Sequence, residues 1–399
     1  MSELHGTPLL AREEVEPLRR RALIVGVLGL LACVAGAFLN PAQFYRSYLT
    51  GYVFVLGIAL GGFALSLLHR MTRGAWGLMV RRTWEAGART LPVFAVAFLP
   101  IAVGMHSLYH WTHKAAVAAD PLLQHKEPYL NATFFLVRAA FYFLVWIGLS
   151  TVMDRLYKRQ DENAPGDAAV ERQMQIFAGP GVLVYALTMT FASFDWLMSL
   201  DPHWSSTIYG LYIVAGQAIS GLVLAILVAV FLSGRKPMSE LYLPNHFHDY
   251  GKLLLAFVML WSYFAISQFL IIWSGDLPEE ISFYKPRVEG SWRFVSLALV
   301  LLHFALPFAL LLSRGRKRDL KRLAGVAMLV LVMRWVDIWW LVAPTFHKEG
   351  LALHWLDIAA PLGLGGIFVW LLLGELTKRA LLPIHDPNLP AALEAPAHG

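Results

Sequence analysis

Ten apolar stretches, each about twenty residues long, alternate with short polar loops along the 399-residue chain. They cover residues 22–39, 52–70, 91–111, 131–154, 175–200, 208–232, 251–273, 291–312, 323–343 and 355–378. A hydrocarbon layer ~30 Å thick is crossed by ~20 residues of helix, so every stretch is long enough to span a bilayer. The pattern predicts an all-α integral membrane protein with about ten transmembrane helices. The first stretch is long and no small-residue cleavage site follows it, so it reads as a span and not as a removable signal. A membrane domain over 22–380 is expected between an amino-terminal tail (1–21) and a carboxy-terminal tail (381–399).

Composition agrees with this pattern. Hydrophobic residues make up 57% and charged residues 15%, against ~45–50% and ~25% in soluble domains. That excludes a disordered chain, a coiled coil and a nucleic-acid-binding domain. Cys33 is the single cysteine. An intrachain disulfide, a Cys-ligated iron–sulfur cluster and a C-x-x-C-H haem site are therefore excluded.

The net charge of +6 gains meaning from its distribution. Of the 33 Lys and Arg, 23 fall in the tails and even-numbered loops, and six in the odd-numbered loops. Cations are retained on the cytoplasmic side during insertion. Both termini are expected in the cytoplasm, with an even number of spans. Residues 161–172 read as a flexible cytoplasmic linker, and the Pro- and Ala-rich tail after Pro383 as mobile.

The spans carry an internal echo. Gly51, Gly57 and Gly62 are spaced by six and five, as are Gly210, Gly216 and Gly221. Asp195 precedes Pro202 by seven residues, and Asp337 precedes Pro344 by seven. Four spans separate the copies, which gives them the same orientation. This predicts two parallel-repeat four-helix bundles, spans two to five (50–200) and six to nine (205–344), flanked by spans one and ten. The glycines, Gly57-x-x-x-Gly61 among them, read first as packing residues.

Ionisable groups within spans cost ~2.5–3.5 kcal/mol each on insertion scales. His106, Arg138, Asp195, Arg334, Asp337 and Asp357 fall in the outer half, with His303 near the centre. His69, Asp249, Lys252 and Glu375 fall toward the cytoplasmic side. Such groups either fix helix packing as internal pairs or form a proton relay or polar cavity. The two sets read as two half-paths with an apolar stretch between them. No nucleotide-binding or metalloprotease motif occurs, and His303 has no evident partner for haem ligation. No catalytic residue, metal ligand or redox cofactor is assigned to the chain.

Several stretches resemble a known family. They are 44–49 (FYRSYL), 104–109 (GMHSLY), 194–204 (FDWLMSLDPHW), 251–257 (GKLLLAF) and 261–275 (WSYFAISQFLIIWSG), the last continuing to Glu280. Over about residues 20–380 the chain resembles the F subunit of bacterial alternative complex III, a quinol:cytochrome c (or high-potential acceptor) oxidoreductase. That subunit is similar to the C subunit of the complex and to the polysulfide-reductase (NrfD-like) membrane subunit. The resemblance implies a ten-helix electron-transport subunit that is not catalytic alone and neighbours a C subunit, haem c and iron–sulfur subunits. It implies a part in proton translocation, and a quinone as a possible ligand. The outer loop 274–290 is the expected contact with a periplasmic partner. A secondary transporter with parallel repeats, whose spans would break near Gly179–Gly181 or Gly363–Gly366, is a second reading. A purely structural membrane anchor is a third.

Overall fold

The computed structural model describes residues 12–163 and 166–393. Every expected span is a helix long and apolar enough to cross a membrane: α1 (Arg12–Leu39), α2 (Pro41–Thr72), α3 (Arg81–Val103), α4 (Ala132–Glu162), α5 (Ala168–Leu200), α6 (Tyr209–Leu232), α7 (Pro244–Gly275), α8 (Trp292–Leu312), α9 (Leu320–Phe346) and α10 (Trp355–Leu376). The chain is a multi-pass, all-helical membrane protein, with no strand among the described residues.

Most helices outrun their apolar stretches, because polar caps set their ends. The Asn40 side chain accepts the Gln43 amide, and Pro41 opens the first turn of α2, where a missing N–H costs nothing. Asn131 caps α4 in the same way through the Phe134 amide. The start of α3 also lies earlier than its apolar stretch, at Arg81 and not at residue 91. Its first turns are charged yet buried, since Arg81 and Arg82 both pair with Glu85 at 2.5 and 2.7 Å. Hydropathy alone cannot anticipate that neutralisation. The helix then proceeds in short segments, two of which open with Pro92 and Pro100 near their first turns.

Two helices form the centre. α2 packs on α3, α5, α6, α9 and α10; α6 packs on α2, α5, α7 and α9. They cross where side chains cannot fit: a Cβ on Gly61 would lie 1.7 Å from the Gln217 carbonyl oxygen, and one on Gly221 2.2 Å from the Gly62 nitrogen. Outside this core, α1 lies antiparallel along α10, with Arg19 Nε donating to the Trp370 carbonyl at 3.3 Å. Gly29 and Gly363 meet backbone to backbone, as do Gly26 and Gly366. The outward side of α1 exposes Leu28, Leu31 and Phe38, surface suited to lipid.

One face of the molecule carries both ends of the described chain. There the carboxy-terminal segment, expected to be mobile, packs against the helix ends as far as residue 393. Leu381, Leu382, Leu389 and Ala392 are buried, and His246 Nε2 lies 2.8 Å from the Ala392 carbonyl. Apolar burial of this short segment against the helix ends offsets the entropy of ordering it. The linker expected over 161–172 shrinks likewise. α4 continues to Glu162, α5 begins at Ala168, and the Gly166 amide donates to His385. Residues 1–11, 164–165 and 394–399 of the expected tails and linker lie outside the described residues.

Candidate functional site

Two fully buried carboxylates sit near the ends of α5 and α9, on the face opposite the termini. Asp195 accepts two hydrogen bonds from Arg138, Nε and Nη2 each at 2.8 Å, and one from the Tyr142 hydroxyl at 2.8 Å. This is the forked, bidentate geometry in which arginine binds a carboxylate most strongly. The guanidinium also donates to the Tyr129 carbonyl and lies 3.9 and 4.2 Å from the Tyr129 and Phe134 ring centres. Asp337 accepts from Arg334, one turn earlier on α9, and from the Tyr212 hydroxyl and Trp261 Nε1. Three donors from three helices thus satisfy a carboxylate that would otherwise be costly to bury.

His303 stands behind Trp261, with ring centres 4.2 Å apart and planes near perpendicular. It is fully buried, and neither ring nitrogen has a partner among the described residues. Its helix is locally widened into a π-helical stretch over Leu299–Ala305. Pro307 lies four residues after His303 and has no N–H to return to its carbonyl, which accounts for the altered bonding there.

Between α5, α6 and α9 runs a shorter polar line. The Tyr185 hydroxyl donates to Gln217 Oε1 at 2.5 Å, and Gln217 Nε2 reaches Met189 Sδ at 3.2 Å. Gln217, Ser220 and Arg334 border a cavity of about 10 Å³. That is near the space one water needs, with enough polar neighbours to hold it. Arg334 Nε is buried without a partner.

The remaining outer residues do not join these clusters. Asp357 caps the start of α10 by accepting the His354 amide at 2.9 Å, and it accepts the Ser47 hydroxyl at 2.5 Å. Gln43 links this carboxylate to His347, whose Nε2 lies 3.2 Å from Gln43 Oε1. Burial, and then the neighbouring Arg46, push the His347 pKa down. His106 is exposed, bonded to Thr112 and stacked on His113. The expected outer path is therefore three separate clusters and one surface histidine.

The face carrying the termini holds a larger network. Asp386 accepts from Arg70 at 2.8 Å and Arg81 at 3.0 Å, and Glu171 and Gln160 adjoin it. Glu85 binds Arg81 and Arg82, and Arg89 bridges to Asp154 at 2.7 Å and Glu375 at 3.5 Å. Of the expected inner residues, Glu375 belongs to this network. His69 lies beside it, bonded to the Gly74 carbonyl at 3.0 Å. Asp249 and Lys252 pair with each other at 3.2 Å on the exposed start of α7. Sequence reasoning missed Arg81, Arg82, Glu85 and Asp386. The spacing of Arg81 and Arg82 to Glu85 is the signal that could have found the first three.

Two loop cations cap the α5 and α9 ends. Lys126 Nζ donates to the Pro202 carbonyl at 2.6 Å. Arg287 donates to the Trp340 and Leu341 carbonyls at 3.2 and 2.7 Å. The Trp340 carbonyl is orphaned because Pro344, four residues on, has no N–H. Burial pulls the Arg287 pKa down to about 10 and lowers that of Lys126.

The stretches Gly179–Gly181 and Gly363–Gly366 break nothing: α5 and α10 are continuous through them. Gly363 and Gly366 serve the contact with α1. Comparison with known proteins found no matching family model and no matching curated sequence.

Proposed function

We propose that this chain is an accessory subunit of a quinol-oxidising respiratory complex in a bacterial inner membrane, with the termini face in the cytoplasm. It holds no redox centre of its own and contributes scaffold and proton-conducting half-paths beside haem c and iron–sulfur subunits and an NrfD-like C subunit. The observation that carries the proton role is the polar line Asp337–Arg334–cavity–Gln217–Tyr185. It places exchangeable groups and room for water between the central helices, a location where polar groups mark ion or proton routes.

The proposal includes a parallel repeat of α2–α5 and α6–α9, flanked by α1 and α10. In that correspondence Gly62 matches Gly221, and these two glycines touch at the α2–α6 crossing, where an axis relating the halves would pass. The contact of α2 with α9 then matches that of α6 with α5. Lys126 on Pro202 matches Arg287 on the α9 end.

The deciding experiment compares Asp337→Asn with the unaltered chain in the purified complex. The expected result is assembled complex, normal haem and iron–sulfur content, and proton-coupled turnover slowed about tenfold or more, within the range that proton transfer contributes. Unchanged turnover and proton stoichiometry would refute the proton role. Isolation of the chain without any redox partner would refute the complex. The anchor reading predicts that substituting Asp337 alters stability alone.

A further inference from the structure

A second cavity, of about 400 Å³, lies between α7, α8 and α9 near the face opposite the termini, bordered by Trp261, Ala265, Phe269, Arg293, Val300 and Trp340. Its size falls within the ~300–1,000 Å³ typical of ligand pockets. α7 packs on α8 at the π-helical stretch and beyond it, while the first turns of α8 pack on α9. Val300 and Leu297 on its rim are exposed, so it opens sideways toward the bilayer.

The chemistry of the wall narrows the occupant. Gln268 donates to the Tyr284 hydroxyl at 3.0 Å and accepts from Ser206 at 3.0 Å. Ser296 accepts from Trp340 Nε1 at 2.8 Å and donates to the Arg287 carbonyl at 2.6 Å. Trp261 and Tyr212 both donate to Asp337. These polar groups are already engaged, so the interior favours a hydrocarbon chain. At the mouth stands Arg293, in the first turn of α8, exposed and without an acidic partner among the described residues. Its Cζ lies 4.9 Å from the Phe294 ring centre. An apolar slot beneath one free guanidinium at interfacial depth matches an anionic headgroup with an acyl chain below it.

The geometry points to a lipid site: the cavity between α7 and α8 holds one acyl chain of an anionic phospholipid whose phosphate binds Arg293. The test titrates dioleoyl phosphatidylglycerol and dioleoyl phosphatidylcholine into delipidated protein in mild detergent and counts bound lipid by native mass spectrometry. One phosphatidylglycerol should bind more tightly than any phosphatidylcholine. Arg293→Gln should weaken it about fivefold, the effect of one interfacial cation, and leave phosphatidylcholine unchanged. Val300→Trp alters a lipid-exposed position and so should spare folding; it should fill the slot and remove the tight site. Equal binding of both lipids, or indifference to both variants, overturns the proposal. So does recovery of one tightly held isoprenoid quinone from the cavity in place of phospholipid.

Discussion

Asp195 and Asp337 occupy like places, each seven residues before a proline, each fully buried and each bonded to an arginine and a tyrosine. Their surroundings separate them. The arginine serving Asp195 comes from the neighbouring helix α4, binds with both arms of its fork, and lies against two aromatic rings. Beside it Trp146 stacks on the Tyr142 ring and Trp196 meets both rings edge to face. The arginine serving Asp337 comes from the same helix and keeps Nε unpartnered, with an unbonded histidine behind Trp261 and cavities on either side. The closed pair ties α4 to α5 with every fork of its arginine engaged. An open one can exchange with water or lipid. The same short motif therefore sits in two unlike packings.

The largest test of this contrast is Arg138→Gln against Arg334→Gln. Loss of Arg138 strands a buried carboxylate in a dry aromatic setting and should cost about 3–5 kcal/mol. Loss of Arg334 should cost clearly less, because Tyr212 and Trp261 still donate to Asp337 and the adjoining cavity admits water. Thermal unfolding in detergent measures both, and equal losses would abolish the distinction. Next in size is the shared crossing. Gly61→Ala should cost about 1–3 kcal/mol by overpacking, while Gly57→Ala, whose Cβ would meet Gln217 at 3.4 Å, should be near neutral by the same measurement.

A smaller effect depends on pH. The folded protein lowers the His347 pKa from its usual 6.5, so the unfolded chain binds the extra proton first. The stability that His347 confers is complete above about pH 6.5 and is lost as pH falls through its lowered folded value. His347→Gln should flatten that part of a stability–pH curve and leave both aspartate clusters unchanged. Smallest of all, Asp249→Asn breaks an exposed pair and should change stability by no more than about 0.5 kcal/mol. A large loss there would mean the inner expected residues are coupled after all.

The span count and the deep charged residues were legible in the sequence because long apolar runs, and rare ions within them, are strong local signals. Partnerships were less legible. Arg138 and Asp195 were each singled out, yet nothing local says that residues 57 positions apart share a bond. The early start of α3 was hidden because its arginines look like loop cations until Glu85 and Asp386 are seen between them. The ordered carboxy-terminal segment was hidden for a related reason. Its Pro- and Ala-rich composition suggests mobility, and only the cleft between helix ends gives Leu382 and Asp386 somewhere to go.

That segment has a consequence for how the molecule is made. Arg70 and Arg81 are made before Asp386, which follows them by 316 and 305 residues. Until residue 386 is made, these two cations lack the carboxylate they share, and only Glu171 and Glu85 are there to pair with them. A chain truncated before Asp386 would leave the Arg70 and Arg81 guanidiniums with fewer acceptors than the folded protein gives them, and residues from opposite parts of the sequence are thus tied into one buried network.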